Sequence, residues 1–325
     1  MKFLKPTLER LSYAILLLIA VLILNFSMLH LAPGDIADTI SQSMGGADAE
    51  TMEQIRRDYG LDQPFIVQLG QYVWKVLHFD LGYSFFYNQP VTTLILAKLP
   101  ATLLLVITSQ VVALVVGVLL GVYSARKPNG LASHFVTLVA LFGYAAPVFW
   151  TGLLLLIAFS LKIPLFPVAG MIDVTVEGGF FAKAFDIARH MVLPVIALSS
   201  IFFALYSRLC RASMMEVLGS DYIRTAKAKG LSESKIVLKH ALKNSLSPVV
   251  TLAGLQFSAV ISGAVLVEAV FSWPGLGTLA FSAIIERDTP TILGILFFSA
   301  LVVIVGNLLT DLVLRLIDPR IRRKG

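Results

Sequence analysis

The chain has 325 residues, 57% of them hydrophobic and 14% charged, with a mean hydropathy of +0.83; soluble domains carry about a quarter charged residues, so the composition excludes a soluble globular protein and describes an integral membrane protein. The net charge of +6 does not indicate nucleic acid, because the basic residues are divided among chain ends and loops without interleaved aromatics, a distribution explained by membrane orientation and attraction to anionic lipid. The lone Cys210 excludes an internal disulfide and a cysteine metal cluster.

Six stretches contain no Lys, Arg, Asp or Glu: Leu11 to Gly34, Ala101 to Ala125, Leu131 to Leu161, Met191 to Ser207, Asn244 to Val267 and Thr289 to Thr310. A helix needs about 20 apolar residues to cross the hydrocarbon layer, so six transmembrane helices are predicted in an all-α membrane fold. The first stretch is too long for a secretory signal core and offers no A-x-A cleavage site, so it is predicted to be a retained span. With both termini in the cytosol, 18 of the 26 basic residues fall in cytoplasmic segments, as the positive-inside rule requires. The chain then divides into a tail and first helix (1–34), an external subdomain (35–99), a five-helix core (100–316) with a cytosolic loop at 208–243, and a cytosolic C-terminal tail (317–325).

Within the external subdomain, "ADAETMEQIRRDY" predicts a polar helix stopped by Gly60, and the spacing of Phe65, Leu69, Tyr72, Val73, Val76 and Leu77 predicts an amphipathic one. These form either a packing cap or a docking surface for an external partner. "DLGYSFFYNQPV" predicts turns leading into the second span. In the third span Pro147 removes a backbone hydrogen bond and predicts a kink, either beside a translocation path or as ordinary packing irregularity. Loop with short helices is expected from Lys162 to Arg189. Past the fifth span, "FSWPGLG" predicts a tight turn around Trp273 and Pro274. Glu268 lies near the outer end of that span, where it lines an outer gate or caps the turn; Asp311 and Arg315 are spaced for an i,i+4 pair.

The cytosolic stretch "DYIRTAKAKGLSESKIVLKHALKN" predicts a helix from Asp221, a left-handed cap at Gly230, then a second helix from an N-cap at Ser232 into the fifth span. Tyr222, Ala226 and Lys229 share one helix face. The loop is either a cationic knob shaped to receive a push from a partner or an amphipathic helix on anionic headgroups.

Among catalytic patterns, His30 and Asp35 in "HLAPGD" have the H-x-x-x-x-D spacing of an intramembrane acyltransferase, with His as base, although a membrane-interface role accounts for His30 more simply. The five histidines are scattered with no H-E-x-x-H, and no G-x-x-x-x-G-K-[ST] phosphate loop is present, so neither a zinc protease nor an ATPase is indicated. A secondary transporter would need coupling-ion sites and internal repeats, and neither is visible.

The cytosolic stretch resembles the coupling loop of ABC importer permeases. Anchored on Gly230, that family's Glu-Ala-Ala positions fall on Arg224, Thr225 and Ala226, and its later trio on His240, Leu242 and Lys243; Ala226, Gly230 and Leu242 match. "DYIRTAKAKGL" and "HALKNSLSPV" are similar to the variant in the dipeptide, oligopeptide and nickel permease group. "HLAPGD", "GLDQP", "DLGYS", "GYAAPVFW", "EVLGSDYIRTA", "EAVFSWPGLG" and "DPRIR" follow in the same order. The resemblance implies a type I importer permease fold in the bacterial inner membrane and a chain that is not itself an enzyme. It also implies no cofactor in this chain: two cytosolic ATPase subunits bind ATP and Mg, a second homologous permease completes the pathway, and an external binding protein delivers peptides or a related solute. Asp221, Tyr222, Arg224, Thr225, Ala226, Lys229, Gly230, Leu231 and His240 would then couple to an ATPase, and Pro147, Glu268, Trp273 and Pro274 would belong to a pathway or gate.

Overall fold

The structure is a computed structural model that describes residues 4–31, 37, 46, 49–58, 60–126 and 128–317. It is built of helices: α1 (Leu4–His30), α2 (Ala49–Asp58), α3 (Phe65–Leu77), α4 (Val91–Arg126), α5 (Leu131–Ala145), α6 (Val148–Lys162), α7 (Phe180–Leu218), α8 (Asp221–Ala228), α9 (Glu233–Leu255), α10 (Phe257–Phe271), α11 (Leu276–Ile285) and α12 (Thr289–Ile317). A two-residue hairpin, β1 (Tyr83–Ser84) with β2 (Gln89–Pro90), fills the predicted turn region. Among the described residues three helices, α4, α7 and α12, are long and apolar enough to cross a membrane, and up to five spans result if two bent pairs are each counted as one.

The first bent pair is α5 with α6, where the sequence predicts a single helix kinked at Pro147. The chain breaks there instead, and the two helices meet at 107°. Ala146 is extended (φ −80°, ψ 132°) because the proline ring disfavours helical geometry in the preceding residue, and Pro147 then opens α6 with no N–H to satisfy. The second pair, α9 with α10, bends by 53° at Gln256. The short helices expected between Lys162 and Arg189 do not form: 163–179 is irregular, and from Phe180 the chain already belongs to α7. Charged residues end the hydrocarbon match, but they do not end a helix.

The chain forms two compact units, residues 1–100 with 275–304, and residues 101–274 with 305–325. In the first, α3 lies on α1 through Phe26, whose ring is 5.1 Å from Tyr72 and 5.6 Å from Phe65. Leu22, Val76, Val91, Ile95 and Phe298 belong to its apolar core. Asp288, 1% exposed, opens α12: it accepts hydrogen bonds from Ser84 Oγ and, at 2.7 Å, from Thr291 Oγ1, tying the hairpin to the helix start.

In the second unit α7 packs against α5, α6, α9 and α10. Gly117 and Gly121, four apart on α4, allow α7 to approach: a Cβ on them would lie 2.7 Å from Tyr206 Cβ and 2.5 Å from Cys210 Cβ. Gln110 Nε2 donates to Tyr206 Oη (3.1 Å) and to the Ala253 carbonyl (3.0 Å), a polar link joining α4, α7 and α9.

Candidate functional site

Helix α8 follows α7 after only Gly219 and Ser220. Ser220 occupies the N-cap in extended geometry (φ −75°, ψ 156°) without a side-chain cap bond, and Asp221 complements the first-turn dipole. The C-terminus is a Schellman cap: Gly230 N–H reaches the Lys227 carbonyl (2.9 Å) and Leu231 N–H the Ala226 carbonyl (3.4 Å), with Gly230 at φ +74°. Leu231 also packs on the apolar cluster that contains Ala226.

Two faces result. Ile223 (0% exposed) and Ala226 (8%) are buried in the chain's own core, so Ala226 lies against this subunit and not on the free surface. Arg224, Thr225, Lys227 and Lys229 are exposed, with Arg224 Nη1 3.3 Å from Asp221 Oδ1 and the Thr225 hydroxyl bonded back to the Asp221 carbonyl. Tyr222 does not share an outward face with Ala226. It braces the helix: its hydroxyl accepts from Asn244 Nδ2 at 2.8 Å and lies 3.5 Å from the His240 carbonyl.

The predicted sequence of helix, glycine turn and helix is present, with two local differences. Ser232 sits at the second N-cap without a side-chain cap bond, and the turn Ile236–Ala241, which contains His240, is π-helical. Such turns are rare and concentrate at functional positions. An ion pair missed from sequence, Arg126 Nη2 to Glu233 Oε1 at 3.0 Å, ties the end of α4 to the start of α9. The charges alone could have suggested it only if the ends of α4 and α9 were known to meet.

At the other end of α10, Glu268 and Trp273 are both 0% exposed. Thr102 Oγ1 donates to Glu268 Oε1 at 2.6 Å, and Trp273 Nε1 donates to the Ala101 carbonyl at 2.9 Å. Trp273 N–H also reaches the Glu268 carbonyl (2.9 Å) across Ser272, a non-glycine residue in the left-handed region at φ +50°. The chain thus turns sharply before Pro274, and the turn is bolted to α4. The 163–179 loop joins it through Gly170 N–H to the Phe271 carbonyl (2.9 Å) and is held to α7 by Asp173 N–H to Asp186 Oδ2 (2.7 Å). Asp186 also lies 3.3 Å from His190 Nδ1. The backbone N–H and hydroxyl of Thr175 hold the Asp173 carboxyl below its ordinary pKa.

Pro147 lies at the α5–α6 break, and Glu268, Trp273 and Pro274 cluster at the α10 turn. His30 stacks on Phe26 and packs edge-on to Phe65 at 5.1 Å, an aromatic packing role; Asp35 lies outside the described residues. The side chains of Asp311 and Arg315 also lie outside them.

The sequence profile described as binding-protein-dependent transport system inner membrane component matches residues 117–323, and its N-terminal companion matches residues 1–106. The chain is 38% identical to the dipeptide transport system permease protein DppB of Escherichia coli K12, covering 98% of each. It is 38% identical to a putative peptide transport system permease of Brucella abortus strain 2308 (97% of this chain, 98% of the relative) and 37% identical to the oligopeptide permease AppB of Bacillus subtilis 168 (96% and 98%). In fold it is similar to a chain of the inward-facing MetNI methionine ABC transporter, with a TM-score of 0.54 at 15% identity over 69% of this chain and 96% of that one. Full-length similarity to permeases, joined to an apolar helical bundle with a capped polar helix between α7 and α9, places this chain in the family of binding-protein-dependent transport system inner membrane components.

Proposed function

We propose that this chain is one membrane-spanning subunit of an ATP-driven importer of dipeptides, oligopeptides or a related small solute. It has six spans, both termini in the cytosol, and a second, homologous permease as its partner. An external binding protein delivers the solute, and two cytosolic ATPases bind ATP and Mg. The exposed cationic face of α8 carries the reading: Arg224, Lys227 and Lys229 project from a short helix that is rigidly capped and buried along its opposite side. A helix of that kind suits a cleft on an ATPase, from which nucleotide-driven closure would move α7 and α9 and alternate the access of the pathway. The relatives named above as dipeptide and oligopeptide permeases support the solute class.

The test is Gly230→Asp in the assembled transporter. A side chain at φ +74° costs about 1–2 kcal/mol and loosens the cap. Uptake should fall while ATP hydrolysis continues. Normal uptake at normal expression would remove the coupling assignment.

A further inference from the structure

A cavity of about 240 Å³ lies between α4, α5 and α7 in the second unit, with Val136, Thr137, Ser207, Arg208, Arg211 and Met215 among its walls. Arg208 and Arg211 are three apart on α7 and so share a face. Arg211 Nη1 donates to Thr137 Oγ1 (3.1 Å) and Nη2 to the Pro128 carbonyl (3.0 Å), which fixes its guanidinium at the cavity. The Arg208 guanidinium lies 4.9 Å from the Tyr144 ring centroid, held by a cation–π contact.

Among the described residues neither arginine is in an ion pair, and the next acid along α7, Glu216, is five residues past Arg211 and about 140° around the helix. Two positioned guanidinium groups in a cavity whose other walls carry apolar side chains and hydroxyls but no acid call for an anion from elsewhere. Arg208 is the first charged residue after the Met191 to Ser207 run, which puts the cavity where a span meets the headgroup layer.

We propose that this cavity holds the phosphate of an anionic phospholipid between Arg208 and Arg211. Planar guanidinium groups bind phosphate bidentately, and at the headgroup layer the phosphates at hand are those of lipids. The proposal needs α7 to cross the bilayer but does not depend on the solute or on the coupling role of α8.

The experiment is native mass spectrometry of the full chain, with whatever subunits accompany it, in the presence of phosphatidylglycerol or phosphatidylcholine. The wild type should retain phosphatidylglycerol in preference, and Arg208→Gln with Arg211→Gln should lower that preference by about tenfold. Lys239→Gln with Lys243→Gln, on α9, should leave it unchanged. Millimolar inorganic phosphate should not displace the lipid; full displacement would reassign the cavity to a free anion. Equal retention by the double arginine variant at unchanged thermal stability would overturn the proposal, as would a cross-link from Arg208 to a carboxylate of another subunit. If that variant is unstable, Arg211→Lys supplies the second reading: it keeps the charge but loses the fork, and the phosphatidylglycerol preference should still fall.

Discussion

The two ends of the second unit are built by opposite rules. At the α10 turn the decisive bonds are dry and join residues far apart in sequence: Glu268 to Thr102, and Trp273 to the Ala101 carbonyl. At α8 the polar contacts are exposed: Arg224 with Asp221, Arg126 with Glu233, and Tyr222 with Asn244. Buried hydrogen bonds are expensive to leave half-made, whereas an exposed ion pair contributes little and re-forms easily. The contrast suits a fixed corner at one end and a handle at the other.

Substitutions at the two ends should separate those roles. Trp273→Ala removes a fully buried indole and its bond to α4, and should cost about 3–5 kcal/mol, read as thermal unfolding of the detergent-solubilised chain. Thr102→Val keeps the shape but takes one donor from Glu268, and should cost about 1–3 kcal/mol in the same measurement. If both were silent, the corner would not be a fixed point. Arg126→Gln should cost less than about 1 kcal/mol, an effect that shrinks further as salt is raised, because both partners are solvated. A cost above that of Thr102→Val would reverse the comparison.

The smallest effect is a pH dependence of the 163–179 loop. The Asp173 carboxyl is held below its ordinary value of 3.8, so its contribution is fully present above that pH and is lost as pH falls through the lowered value. Proteolysis of the 163–179 loop in reconstituted protein should therefore be flat from neutral pH down to about 4 and rise only below it. Asp173→Asn should raise the baseline and remove the pH dependence.

Much of the fold was legible because charge-free runs and turn residues act locally. Ala101 to Ala125, Met191 to Ser207 and Thr289 to Thr310 each fall within one helix, Gly230 closes a helix in the left-handed region, and α3 lies where the periodicity puts it. The break at Pro147 was legible in kind but not in size, since a proline forbids helix at the preceding residue without specifying an angle. The π-helical turns left no mark, because an inserted residue in a helical ring changes no residue type. The long reach of α7 was missed because Lys183, Asp186 and Arg189 read as loop, although they extend a helix beyond its apolar part. Glu268 drew notice as an ionisable residue near a span, but its partner Thr102, 166 positions away, carries no signal of its own. The inward orientation of Ala226 needed the knowledge of which helix face meets the core.

Helix α7 has 39 residues, about 60 Å of continuous helix at the usual rise, with Pro194 inside it and only Gly219 and Ser220 separating it from α8. On its other side α8 reaches α9 through the four residues Lys229 to Ser232, and the first turns of α9 are π-helical over Ile236–Ala241. The handle therefore has two linkages of unequal stiffness. Under the proposed coupling, a displacement delivered to α8 would pass along α7 towards the 163–179 loop held by Asp186, while the softer path through α9 would absorb the mismatch. That asymmetry would convert a push into a tilt.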